Sequence, residues 1–375
     1  LKVVHLVAGN LYGGVEAFLA TLARFREAAP AMAQHFALCF PGRLRRELDQ
    51  AGAPVLDLGK VRASRPWTVL RARSRLKAFV EREAPEVLVA HGAWAHALLT
   101  PRAGRASVVY FQHDAAGAKD WPERLARLSP PTQVIANSEF TASTTHHLFP
   151  RAKPEIYRYP VPQIPALGDE DRARLRSELQ VEPTQALIIQ TSRIEPWKGQ
   201  RCHLRVLGKL KDDPGWVSVI AGGPQRPKEE RYYAELKEMA HELGIVDRVR
   251  FIGQRSDVPR LLRAADIHFQ PNQGPEPFGI AFIEAMLAGL PVVTFRLGAL
   301  GEYVAAESGI LSDDEEGLVE GLRRLIGQPA TRREMGKNAQ SSAEALCDPE
   351  RQVQSLQALL DRTKLRAEFQ QRHTV

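Results

Sequence analysis

Two carboxylates and two cations carry the chemistry that can be read most directly from this chain. Glu276 and Glu284 stand seven residues apart within Pro275–Val293, PEPFGIAFIEAMLAGLPVV, and Arg193 and Lys198 lie in Thr191–Gly199, TSRIEPWKG. From Ile280 to Ala288 the residues are good helix formers and Gly289 supplies a stop, so one glutamate precedes a helix and the other lies inside it. Phe278, Gly279 and Ile280 then present free backbone amides at the positive end of the helix, an anion site that Gly279 lets a ligand approach closely. Glu284 falls about one turn deeper on the same face as Ile280, where an acid suits sugar hydroxyls better than phosphate. Glu276 can reach forward over a bound ligand. Arg193 and Lys198 sit between an apparent strand and the next helix, where a planar guanidinium and a point charge could together hold a diphosphate. Taken alone, both pairs also read as ordinary solvated residues.

Other residues invite chemistry less strongly. The first apolar run enters Gly9-Asn10-Leu11-Tyr12-Gly13-Gly14-Val15-Glu16 and then a helix, the place where α/β proteins bind phosphate, although the Gly-x-Gly-x-x-Gly spacing is absent and a simple tight turn reads equally well. His113-Asp114 ends a strand candidate and admits two roles, general base or structural hydrogen-bond donor. His146-His147 has no partner cluster with metal-ligand spacing. Asp169-Glu170-Asp171 opens a helix from Asp171 to Leu179 and is accounted for by capping and the helix dipole.

The elements that must position these groups alternate. Short β-rich runs are expected at 2–7, 35–40, 54–58, 86–91, 107–113 and 133–137, and again at 186–191, 216–221, 248–252, 266–270 and 290–295, with amphipathic stretches between them. Such alternation gives parallel sheets with helices on both faces, and its repetition gives two Rossmann-like domains. Tyr159–Pro165, YPVPQIP, holds three prolines in seven residues and marks a hinge. The division is 1–165, 166–345 and a helical tail, 346–375, that either packs back across the domains or frays.

The bulk composition agrees: 375 residues exceed one ordinary core, and 44% hydrophobic with 25% charged residues is a globular balance. A formal charge of +7 favours acidic partners. Cys39, Cys202 and Cys347 are widely spaced and read as free thiols of a reducing compartment. With no long apolar run and no signal sequence, the expected location is the cytoplasm, with peripheral contact at the inner face of an anionic membrane as an option. The stretch Arg62–Arg82 suits that contact, being basic with interspersed Trp67, Leu70, Leu76, Phe79 and Val80, and it equally suits a crossover helix packed on a sheet.

In sequence order these features resemble a retaining glycosyltransferase of family 4, glycosyl transferases group 1, with the GT-B fold. Gly13-Gly14-Val15-Glu16 resembles the family's Gly-Gly-x-Glu loop, His113-Asp114 its His-Asp, Arg193 with Lys198-Gly199 its basic pair, and Glu276 with Glu284 its paired glutamates around Phe-Gly. Fainter echoes are Asn137-Ser138-Glu139, Ala221-Gly222-Gly223-Pro224, Phe251-Ile252-Gly253 and Gly298-Ala299-Leu300-Gly301-Glu302. The resemblance implies two Rossmann-like domains with parallel sheets facing across a cleft, an acceptor-side domain first and a nucleotide-sugar-binding domain second. It implies transfer of a hexose from a nucleotide diphosphate sugar, UDP rather than GDP, to a saccharide or lipid-linked acceptor in polysaccharide biosynthesis, with retained configuration and neither metal nor cofactor. Carried over by position, Glu284 holds the ribose. Arg193, Lys198 and the amides at Gly13, Gly14, Phe278, Gly279 and Ile280 hold the diphosphate, Glu276 reads the hexose, and His113 lies beside it.

The physics of that reaction matches those groups. Negative charge builds on the departing diphosphate, and fixed cations and amides stabilise it by a few kcal/mol. No carboxylate is evident as a nucleophile, so front-face attack with the leaving phosphate taking the proton is favoured, and closure of the hinge completes the site. Two rivals remain: a nucleotide-sugar epimerase of the same fold, disfavoured by the ordered set of four site residues, and a nucleic-acid-binding protein, disfavoured because the cations are dispersed without interleaved aromatics. Nucleic acid is therefore not an expected partner, and acceptor contacts are assigned to loops such as Ala115–Trp121.

Overall fold

Runs such as Lys2–Val7 (KVVHLV) and Ala186–Thr191 (ALIIQT) are apolar on both alternating faces, which is the pattern of a strand covered by helices above and below. A computed structural model describes residues 1–9, 12–100, 106–117 and 120–373 and places these runs at the centres of two parallel sheets. The chain divides into two compact units, Leu1–Pro162 with Cys347–Val375, and Gln163–Leu346.

In the first unit the strands are β1 (Lys2–Val7), β2 (Ala33–Leu38), β3 (Val55–Asp57), β4 (Val87–His91), β5 (Ser107–Gln112), β6 (Gln133–Ala136) and β7 (Glu155–Ile156). Between them run α1 (Gly14–Arg24), α2 (Arg43–Gln50), α3 (Pro66–Glu83), α4 (Gly92–Leu99), α5 (Trp121–Ala126) and α6 (Glu139–Ser143). The sheet order is β3-β2-β1-β4-β5-β6-β7, all parallel, so the order reverses between β1 and β4. Asn10 and Leu11 of the glycine loop, and Ala118 and Lys119 of the expected acceptor loop, lie outside the described residues.

The second unit repeats the plan. It contains α7 (Asp169–Glu178), β8 (Ala186–Thr191), α8 (Gln200–Gly208), β9 (Trp216–Ala221), α9 (Pro227–Glu242), β10 (Val249–Gly253), α10 (Val258–Ala264), β11 (Ile267–Phe269), α11 (Ile280–Leu287), β12 (Val292–Phe295), β13 (Gly309–Ser312), α12 (Glu315–Gly327) and most of α13 (Pro329–Cys347). Its sheet runs β10-β9-β8-β11-β12-β13 and reverses between β8 and β11. Two Rossmann-like parallel-sheet units are therefore present, as the alternation predicts. The sequence reading overlooks β7 and β13, each with only one or two apolar residues to announce it and each at the last edge of its sheet.

The proline-rich segment is anchored at both ends. Tyr159 and Val161 are buried and the Val161 amide donates to the Cys347 carbonyl at 3.0 Å, within the first unit. Ile164 is buried in the second unit, where the Arg263 guanidinium holds the Ile164 and Pro165 carbonyls. The final helix, α14 (Pro349–His373), packs in the first unit. The Tyr157 hydroxyl donates to the Gln352 carbonyl at 3.0 Å, Arg362 and Arg366 pair with Glu155 at 2.9 and 2.8 Å, and Lys364 pairs with Glu86 at 2.6 Å. The three cysteines are free and buried, and burial pushes each thiol up to about 12. Asp169, Glu170 and Asp171 occupy the first turn of α7 behind Gly168, where the helix dipole favours them.

Candidate functional site

The second unit gathers its charged residues where its strand order reverses. The loop after β8 carries Arg193 and Lys198, and the loop after the neighbouring β11 carries Asn272, Glu276, Phe278 and Gly279 before entering α11. This is the point at which open α/β sheets leave a crevice at the carboxyl ends of the strands.

The two loops interlock through backbone that only glycine permits. Gly199 has φ +77°, and a Cβ there would lie 1.8 Å from the Pro271 carbonyl oxygen. The Gln273 amide donates to the Trp197 carbonyl at 2.8 Å, and two fully buried glutamines tie down the basic loop from inside. Gln190 Nε2 donates to the Lys198 carbonyl at 2.8 Å and Gln200 Nε2 to the Arg193 carbonyl at 2.8 Å. Gly298, at φ +68°, lets β12's exit lie against Glu276, whose carbonyl accepts from the Ala299 amide at 2.8 Å.

These contacts aim the side chains. Lys198 Nζ lies 2.9 Å from Glu276 Oε2 and 3.7 Å over the Trp197 ring. Asn272 Nδ2 donates to the same Oε2 at 2.6 Å, while no described residue hydrogen-bonds Oε1. Glu276 is thus buried and held by one oxygen. Arg193 is partly exposed and pairs with Glu195 at 3.0 Å, and Glu195 is in turn steadied by the Trp197 indole at 2.9 Å.

Gly279 caps α11 in the left-handed region, φ +85°, and a Cβ there would come within 3.0 Å of Tyr303, Phe282 and Glu276. The Tyr303 hydroxyl donates to the Phe278 carbonyl, Phe278 is buried, and the Gly279 and Ile280 amides at the start of α11 have no helical acceptors. Glu284 follows one turn on. It keeps some exposed surface, but its carboxylate has no hydrogen-bond partner among the described residues, and burial raises it to about 7. Arg193, Lys198, Phe278, Gly279, Ile280, Glu276 and Glu284 therefore share one end of one sheet. Sequence reasoning missed Asn272, Gln190 and Gln200, whose amides announce nothing until the loops are folded against each other.

Gly13, Gly14 and His113 belong to the first unit. Gly13 is the N-cap of α1 and its amide is taken by Glu16 Oε2 at 3.0 Å, leaving Gly14 as the first helical residue. His113 follows β5 and is buried with both ring nitrogens engaged, Nε2 to His91 Nδ1 at 2.9 Å and Nδ1 to the Tyr159 hydroxyl. His91 Nε2 meets His5 Nδ1 at 2.9 Å, and His5 Nε2 meets Gln34 Oε1 at 3.2 Å. Each step crosses one strand and advances two residues, so all four side chains share a face. With the Gln34 carbonyl as the final acceptor, every imidazole in this chain of hydrogen bonds is neutral and protonated on Nε2. Burial lowers His113 to about 3, His5 to about 4 and His91 well below the usual histidine range.

Residues 171–342 match the family model of glycosyl transferases group 1. The chain carries a group 1 glycosyltransferase domain. Among curated relatives of the chain, the D-inositol 3-phosphate glycosyltransferase of Salinispora tropica is 32% identical over 250 residues, covering 60% of this chain and 52% of the relative. The lipopolysaccharide core biosynthesis mannosyltransferase LpsB of Rhizobium meliloti is 29% identical over 156 residues, 40% of this chain and 44% of its own. The chain thus spans about half the length of the curated relatives it matches. Solved glycosyltransferase structures share the whole fold. Anabaena Alr3699/HepE in complex with UDP and glucose superposes with a TM-score of 0.83 at 24% identity, covering 96% of this chain and 99% of that one. WaaG, a glycosyltransferase of lipopolysaccharide biosynthesis, superposes at 0.69 and 16% identity over 94% and 98% of the two chains. The group 1 domain therefore contains the switch-point residues described above.

Proposed function

We propose that the protein transfers a hexose from a nucleotide diphosphate sugar to a saccharide or lipid-linked acceptor, with retention of anomeric configuration and without a divalent metal. The observation that carries this reading is the division of Glu276. One carboxylate oxygen is fixed by Lys198 and Asn272, and the other is left to accept from a sugar hydroxyl. Lys198, with ammonium hydrogens to spare beyond Glu276, joins the hexose position to the diphosphate position. Arg193 supplies the second cation and the amides of Gly279 and Ile280 supply neutral donors. Glu284, one turn behind those amides, accepts from the ribose hydroxyls. UDP is favoured as the nucleotide, a choice supported by the UDP complexes of the similar Anabaena protein.

In this reading the bond from the anomeric carbon to the diphosphate oxygen breaks while Lys198, Arg193 and the helix amides meet the developing charge. The acceptor hydroxyl attacks from the same face and its proton goes to the leaving phosphate. In this reading His113 takes no proton from the acceptor, which is supported by its two ring nitrogens being bonded within the protein and by burial that lowers it to about 3.

Calorimetric titration with UDP, UDP-glucose and GDP-mannose in chelator tests the reading. UDP compounds should bind and Glu284→Ala should weaken them at least tenfold. Unchanged binding by Glu284→Ala, or binding that needs added magnesium, would refute it.

A further inference from the structure

The first unit carries a surface that its own packing does not explain. Helix α3 seats Val69, Ala72, Leu76 and Phe79 in the core, which satisfies its role as a crossover helix. Trp67 and Leu70 point elsewhere: Trp67 lies roughly 160° round the helix from Val69. They are 65% and 63% exposed. Across from them α5 and the residues just beyond it expose Trp121, Leu125 and Leu128, at 48%, 39% and 78%. Leu70 and Trp121 line a common groove of about 410 Å³ together with Pro66, Val69 and Leu98, so the two apolar stripes are joined.

The charges around this face have one sign in excess. Arg62, Arg65, Arg71, Arg124 and Arg127 are exposed, and none has a carboxylate partner among the described residues. The acids nearby are committed to the local fold, Asp120 capping α5 and Glu123 facing the Gly117 amide. Elsewhere on the chain exposed arginines are mostly paired, as with Arg43, Arg201, Arg205 and Arg231.

We propose that the face formed by Trp67, Leu70, Trp121, Leu125 and Leu128, ringed by unpaired arginines, docks on an anionic lipid bilayer surface. Indole rings partition to the boundary between headgroups and acyl chains, leucines reach just below it, and guanidinium groups bind the phosphates around them. An acidic protein partner would use the same residues, and the vesicle test separates the two. The surface lies wholly in the first unit and does not rest on the donor-site reading.

Co-sedimentation with vesicles of equal parts phosphatidylglycerol and phosphatidylcholine, and with phosphatidylcholine alone, tests it. The full chain should sediment with the anionic vesicles, less so at high salt, and its tryptophan emission should shift to the blue. Trp67→Ser with Trp121→Ser should lower partitioning about tenfold or more while leaving UDP binding and the melting temperature unchanged. Arg65→Gln with Arg71→Gln and Arg124→Gln should do the same, whereas removing equal charge on α9 by Lys228→Gln, Arg231→Gln and Lys237→Gln should not. Failure of the full chain to bind, or equal loss from the α9 variant, would overturn the proposal. So would a wild-type dimer that the tryptophan variant dissociates, since a second copy would then be what covers the face.

Discussion

Lys198 and Glu276 form an ion pair at 2.9 Å with side-chain exposures of only 15% and 10%, joining residues 78 positions apart in the chain. A pair so shielded is costly to break from one side, because the survivor stays desolvated. Lys198→Met should therefore destabilise the protein by about 3 kcal/mol. Lys198→Met with Glu276→Leu should cost less than the sum of the single changes, leaving a coupling of roughly 1–3 kcal/mol. Denaturant titrations of the four proteins measure it, and a coupling near zero would mean that the pair does not hold the loops.

Gly199→Ala should disrupt the site more than its size suggests. The new methyl meets the Pro271 carbonyl and adopts a disfavoured positive φ, so the basic loop must move away from the Glu276 loop. UDP-sugar affinity should fall at least tenfold. Gly274→Ala, in the facing Glu276 loop, serves as the control: a Cβ added there meets nothing within 4 Å, and the variant should bind normally.

Donor binding should titrate with Glu284. Ribose hydroxyls donate to the ionised carboxylate, and in the free protein burial holds that carboxyl at about 7. As pH falls below this value, binding must first remove a proton, so Kd should weaken by up to about tenfold per pH unit. Glu284→Gln should bind weakly at every pH, with the slope abolished. A wild-type Kd flat between pH 5.5 and 8 would exclude the ribose role.

Stability should respond to acid through the histidine chain. His5, His91 and His113 have folded values below the unfolded 6.5, so between the two the unfolded chain binds more protons. Their stabilising contribution is present above pH 6.5 and is lost as pH falls toward about 4. Glu284 acts with the opposite sign, its raised folded value favouring the native state at low pH and losing that contribution as pH rises from 4.5 toward 7. These three, joined by His203 and His268 of the second unit, both lowered to about 3 by burial, outweigh one. Unfolding free energy should drop between pH 7 and 5, and His91→Gln should flatten the slope; an unaltered slope in that variant would sink the idea.

The sequence made the architecture legible because both sheets are built from strands covered on two faces, whose Val- and Ile-rich runs stand out against polar helices. It also placed Arg193, Lys198, Glu276 and Glu284 at strand ends and helix starts, which are local features. What it could not show is pairing at a distance. Lys198 and Glu276 read as separate ligand contacts until the Gly199–Pro271 approach brings their loops together. His113 invited a role as base because its neighbours in the chain of hydrogen bonds, His5 and His91, lie 108 and 22 residues before it and carry no motif of their own. Asn272, Gln190 and Gln200 are amides whose importance comes only from which carbonyl or carboxylate they meet.

The course of the chain imposes an order on its birth. The second unit is inserted between residue 162 and residue 347, and α14 returns to complete the first. During synthesis the second unit has all its strands available before α14 emerges, so it can fold on the ribosome while the first waits with Tyr157, Glu155 and Glu86 still lacking their partners. The earlier-made half is then the last to be finished, and a released chain truncated after residue 346 should hold a protease-resistant second unit beside a first unit that is still open to cleavage.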